Sequence, residues 1–155
     1  RDLIRTALRM RPDRIIVGEI RGAEICELLT AYNSGHAGSM STGHGNSAQD
    51  MLLRMETMML MGMEIPLSAI RRQIASGVDI IIHLGRLRDH SRKVLQIVEV
   101  VGMNQEDIQL SVLYEFAEEA GMLIRKGDLL HVEKLRMAGM VPGEKGTAGR
   151  KGGLP

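Results

Sequence analysis

The chain has 155 residues, one domain's worth, and its 20 lysines and arginines nearly balance 19 aspartates and glutamates. No bulk field therefore recruits nucleic acid or an anionic membrane. Aromatic residues are 2% of the chain, which removes the stacking platforms of single-strand binders and leaves no direct nucleic-acid ligand expected. The single Cys26 excludes an internal disulfide, and no apolar run approaches the roughly 20 residues of a membrane span, so a soluble, cytoplasmic chain is expected. It begins at Arg1 rather than methionine, which points to a piece of a longer protein.

Leu3, Ile4, Ala7 and Leu8 have helical spacing and stop before Pro12. Ile15-Ile16-Val17 predicts a fully buried strand of a parallel sheet, because β-branched residues suit the pleat and neither face is polar. Ile25, Leu28, Leu29 and Tyr32 then mark one face of a helix closed by Gly35. Residues 39 to 42 predict a second strand, which makes the unit a parallel crossover.

Ser47-Ala48-Gln49-Asp50 resembles a capping box ahead of a helix carrying Leu52, Met55 and Met59. Pro66 suits the first turn of the next helix, through about Ser76. Residues 78 to 84 form a nearly continuous apolar strand. Residues 93 to 101 and the alternating Ile108, Leu110, Val112, Tyr114 and Phe116 predict a hairpin turning near Asn104 to Asp107, with one solvated face. Residues 129 to 137 predict a short last helix, and 141–155, rich in glycine and lysine, a disordered tail.

The chemistry concentrates near the first two strands. Glu19 emerges at a strand's carboxyl end, where ligands of open α/β sheets sit. A carboxylate there suits a bound phosphate and its magnesium, a cation held through one or two carboxylates plus water and phosphate oxygens. The crossover brings Gly43-His44-Gly45 to the same edge, and the flanking glycines let backbone approach a ligand. An imidazole there can donate to a terminal phosphate oxygen, and such donors matter because phosphoryl transfer is mostly positioning and charge stabilisation. His36 fits equally a ligand contact and a loop imidazole satisfied by backbone. Zinc on His36 and His44 fails on ligand count. His83, His90 and His131 read as structural or solvated, and the methionines at 51, 55, 58, 59, 61 and 63 as packing. Arg71-Arg72 and the cluster from Arg86 to Arg92 are cations able to face a neighbour's nucleotide, with solvated surface the simpler reading.

Taken together, Leu8 through Gly22 resembles the Walker B region of the type II/IV secretion system ATPase superfamily, and Asn33-Ser34-Gly35-His36 through His44-Gly45-Asn46-Ser47 resembles that family's His box. Arg54 through Met58 and Ile74 through Asp79 extend the likeness toward the tight-adherence, CpaF-type pilus-assembly branch. The likeness covers about residues 1–140. It implies the carboxyl-terminal part of a RecA-like P-loop NTPase domain: α/β, a mostly parallel sheet flanked by helices, then a β-hairpin and a short helix.

The resemblance further implies a hexameric motor that hydrolyses ATP with Mg2+ to power pilus assembly or secretion, peripheral at the inner face of the cytoplasmic membrane and working with an inner-membrane platform protein. On it, Glu19 is the Walker B acid holding magnesium through water, His44 and His36 are His-box contacts to the γ-phosphate, and Arg21 couples to the acid. No Gly-x-x-x-x-Gly-Lys-Ser/Thr loop occurs in the chain, and residues 143 to 147 are only a superficial echo of one. Without that loop the chain alone is expected to be inactive. Two other readings stay open: a non-enzymatic RecA-like assembly module and a conjugative type IV secretion motor.

Overall fold

The computed structural model describes residues 1–137 and 139–140. Four helices pack on one another with a two-stranded parallel sheet beside them, and a four-stranded antiparallel sheet packs mainly against the last of the four. The expected α/β class holds. Among the described residues, however, parallel pairing is confined to β1 (Ile16–Val17) and β2 (Met40–Ser41), in register Ile16 to Met40 and Val17 to Ser41. The expectation that Ile15-Ile16-Val17 is buried throughout is corrected: Ile15 is buried, but Ile16 is 70% exposed. Side chains alternate between faces, so Ile15 meets the helical core while Ile16 points to the opposite, uncovered face.

Helix α1 (Asp2–Arg9) is tied to α2 (Ile25–Tyr32) by Arg1 and Arg5, whose guanidiniums reach the buried Glu27 carboxylate at 2.8 and 2.7 Å. Ile25, Leu28 and Leu29 of α2 meet Leu52, Met55 and Met59 of α3 (Ala48–Leu60) and Ile70 and Ile74 of α4 (Leu67–Gly77) in the core. Each such fully buried side chain contributes about 1.5–3 kcal/mol by leaving water. Cys26 is 3% exposed within the same cluster. The expected capping box is half formed. Ser47 Oγ accepts from the Asp50 N–H at 3.0 Å, but the Asp50 carboxylate takes the N–H of Asn46, at 2.7 Å, rather than that of Ser47.

Strands β3 (Ile80–Arg86), β4 (Arg92–Asn104), β5 (Asp107–Ala117) and β6 (Met122–Arg125) pair antiparallel in that order. The hairpin of β4 and β5 turns at Asn104 and Asp107, where it was expected. Burial alternates along β3, which sits at the sheet edge rather than inside a parallel sheet. Strand β6 was not expected. Its four residues pair with Tyr114 to Ala117 after the turn at 118 to 121, and a run this short has no period of its own to announce it.

The last helix is shorter than expected: α5 is Glu133–Met137. The buried Glu99 carboxylate on β4 takes the N–H groups of Leu130 and His131 at 2.8 and 2.7 Å, and the chain bends there without forming helix. Their amides are spent on Glu99 and are not available to a helix. The expected tail at 141–155 lies outside the described residues.

Candidate functional site

Strands β1 and β2 remain side by side past their formal ends. The Ile20 N–H donates to Thr42 O at 2.9 Å, and the Thr42 hydroxyl donates to Gly18 O. Ile20 points into the core, 4% exposed, which turns its neighbour Glu19 outward to the carboxyl edge of the pair. There Arg21 Nη2 donates to Glu19 Oε2 at 2.5 Å, and His44 Nε2 stands 2.6 Å from Oε1. The Glu19 side chain is 24% exposed, whereas those of Arg21 and His44 are 78% and 80% exposed. The two donors are therefore open to solvent while the acid between them is sheltered.

Oε1 of Glu19 is itself buried and lacks an aligned hydrogen bond; the imidazole is close without the angle of a true donor. The Arg21 guanidinium, with a smaller contribution from His44, holds the Glu19 carboxyl below the usual carboxylate range against the opposing effect of desolvation. The acid is thus ionised at neutral pH, with Oε2 held by Arg21 and Oε1 occluded against the His44 imidazole. That arrangement fits magnesium held through water, since the ion keeps several waters and needs only one or two carboxylates beside phosphate oxygens. It does not fit a protein cage: among the described residues no group of three or more His, Cys, Asp or Glu side chains converges on one point.

The loops on either side are fixed by their own acids. Glu24 Oε1 accepts from the N–H groups of Arg21 and Gly22 at 2.6 and 3.0 Å, and those bonds hold its carboxyl below the ordinary range. Gly45 is needed for close approach: a Cβ there would lie 3.1 to 3.2 Å from the backbone of Met51, at the start of α3. Neither Glu24 nor Thr42 was singled out from sequence. The only signal was position, beside Glu19 and beside Gly43-His44-Gly45.

His36 is not brought into this cluster. Its Nδ1 lies 3.2 Å from Ala31 O at the carboxyl end of α2, which makes it a helix-end imidazole satisfied by backbone. Arg71 is likewise not a free cation aimed at a neighbour. It binds Glu56 at 2.8 Å and also reaches Glu106 O and Asp107 at the hairpin turn. A cavity of about 530 Å³ between α4, β4 and residues 131 to 134 contains none of the clustered side chains.

A parallel strand-helix-strand unit with an acid, a guanidinium and a glycine-flanked imidazole at its carboxyl edge places the chain in the RecA-like α/β class. The family model described as type II/IV secretion system protein matches residues 1–128, and the chain belongs to that family. A putative conjugal transfer protein of Mycobacterium tuberculosis is 43% identical over 97 residues, covering 63% of this chain and 27% of that protein. The conjugal transfer protein TrbB of Rhizobium radiobacter is 31% identical over 118 residues, 76% of this chain and 35% of its own length. Among solved structures, the VirB11 ATPase of the Brucella suis type IV secretion system, in complex with sulphate, superposes with a TM-score of 0.60 at 29% identity. That match covers 63% of this chain and 32% of the other. The chain thus spans about a quarter to a third of the relatives it matches. No helix among the described residues is long and apolar enough to cross a membrane.

Proposed function

We propose that this chain is the carboxyl-side part of an ATP-hydrolysing motor domain of a type IV secretion or conjugation machine, working as a ring, expected to be a hexamer, at the inner face of the cytoplasmic membrane. The domain part is taken as residues 1–140. The observation that carries the reading is the sheltered Glu19 carboxylate at the strand edge, flanked by the solvent-open Arg21 on Oε2 and His44 on Oε1.

In this reading Arg21 fixes one oxygen of Glu19 and keeps the acid ionised. Oε1, released as His44 turns toward the nucleotide, then orders water at its terminal phosphate. Bound magnesium would neutralise charge on the phosphate oxygens. His44, on a loop fixed by Thr42 on one side and by the Ser47 cap on the other, donates toward the terminal phosphate. A preorganised donor of this kind is worth about a hundredfold or more in rate. His36 stays with Ala31 and acts only by fixing the loop.

The names of the relatives favour the conjugative, type IV assignment. The tight-adherence branch remains a second reading on the strength of Arg54 through Met58 and Ile74 through Asp79. The test of the enzymatic reading is magnesium-dependent ATP hydrolysis by this chain alone and with upstream sequence restored. Turnover in the extended protein alone supports a motor domain of which this is one part. Inactivity of both would favour the non-enzymatic assembly module, as the lack of a phosphate loop in these residues already allows.

A further inference from the structure

Arg21 reaches Glu19 from the surface: its side chain is 78% exposed, against 24% for the acid. A guanidinium left to itself at such exposure loses most of the gain from an ion pair to side-chain entropy. What restrains it lies in its own backbone. Glu24 Oε1 accepts from the N–H groups of Arg21 and Gly22, at 2.6 and 3.0 Å, and Oε2 faces the same loop, 3.4 Å from where a Cβ on Gly22 would stand. On the other side the Ile20 N–H is held by Thr42 O, and the Ile20 side chain is buried in the core. The Cα of Arg21 is therefore pinned from both neighbours. Only the side chain is left to find Glu19 Oε2, which lies 2.5 Å from Nη2.

The His44 loop carries the same device. Asp50, in the first turn of α3, takes the N–H of Asn46 at 2.7 Å. In both cases an acid at the start of the following helix reaches back into the strand-to-helix loop that carries a partner of Glu19. The amides of Arg21 and Gly22 lie near the surface, where water would take the place of Glu24 at small net cost in stability. The consequence of these bonds is thus one of geometry. A carboxylate before α2 also stabilises the helix start by its charge, but charge alone does not require two successive amides to converge on one oxygen.

We infer that Glu24 is a positioning residue for the hydrolytic site, acting through Arg21: it fixes the backbone from which the guanidinium holds Glu19. The inference rests on the motor reading for the reaction, but its first test needs no nucleotide, so the failure of one is distinguishable from the failure of the other.

The experiment has two arms. In the isotope-labelled chain, rotation of the Arg21 guanidinium is followed by NMR in the native protein and in Glu24→Ala, Glu24→Gln and Glu24→Asp. Glutamine keeps the length and an acceptor oxygen without the charge; aspartate keeps the charge and is one methylene too short to reach both amides. A positioning role predicts restrained rotation in the native and glutamine chains and free rotation in the alanine and aspartate chains. A role confined to helix charge predicts that aspartate restores what glutamine does not. In the upstream-extended protein, Glu24→Ala and Glu24→Asp should lower kcat for ATP up to about a hundredfold, the cost of about 1 Å of misplacement. KM should change little, and Glu24→Gln should restore turnover. In an Arg21→Ala background Glu24→Ala should cost nothing further, since residues acting through one another are not additive. A guanidinium equally restrained with and without Glu24, rescue by aspartate rather than glutamine, or costs that add in the double variant would overturn the inference. An extended protein without turnover would count against the motor reading and leave the NMR arm to decide this one.

Discussion

Nε2 of His44 lies 2.6 Å from Oε1 of Glu19, although 24 residues of helix and loop separate them on the page of the sequence. The parallel pairing of β1 with β2 and the Thr42 hydroxyl on Gly18 O create that proximity. In the upstream-extended protein, His44→Ala should lower ATP turnover about a hundredfold, the usual cost of losing one preorganised donor. The melting temperature should hardly change, because the side chain is 80% exposed.

Arg21 is the main cause of the depressed Glu19 carboxyl. An acid whose folded pKa is lowered is ionised, and contributes to stability, above its unfolded value; the contribution is lost as pH falls through the lowered folded one. The acid limb of ATP turnover should therefore lie below the ordinary carboxylate range. Arg21→Ala should move that limb upward in a pH-rate profile. An unmoved limb would detach Arg21 from the acid's function.

Gly45→Ala sets a Cβ against the Met51 backbone, whereas at Gly43 the nearest atoms belong to the flexible Met51 side chain. Backbone yields less readily than a methionine tip. Gly45→Ala should therefore lose more turnover and more thermal stability than Gly43→Ala, a comparison that melting curves and initial rates on the two variants check directly.

The ion pair of Glu56 and Arg71 joins α3 to α4, with side chains only 11% and 18% exposed. Removing one partner leaves a largely buried charge, at a cost of about 3 kcal/mol. Arg71→Ala should lower the urea midpoint accordingly. It should also loosen the hairpin turn at Glu106 and Asp107, which Arg71 reaches as well, and hydrogen exchange at those amides reads that loosening.

The α2 face, the α3 core positions and the turn at Asn104 were legible because apolar period and turn chemistry agree there. That Glu19 and His44 share one strand edge was legible because each follows a glycine at the end of a short run. What sequence could not reveal were long-range polar partners. Glu99 sits inside the run 93 to 101, yet its carboxylate takes the amides of residues 130 and 131, and the last helix starts only after them. Arg71 looked like a free cation because Glu56 lies 15 residues away, on another helix. His36 stood open between two readings until Ala31 O was seen to take it. The exposure of Ile16 likewise follows from which face of β1 meets the helical core, not from its own β-branched neighbours.

The central claim is that Glu19 is the acid of a nucleotide-hydrolysing site. It is tested most directly by steady-state, magnesium-dependent ATP hydrolysis of the upstream-extended protein carrying Glu19→Gln, which keeps the shape of the side chain and removes its charge. The account predicts turnover reduced to background with an unchanged melting temperature and circular dichroism; turnover at the native rate in that folded variant would contradict it.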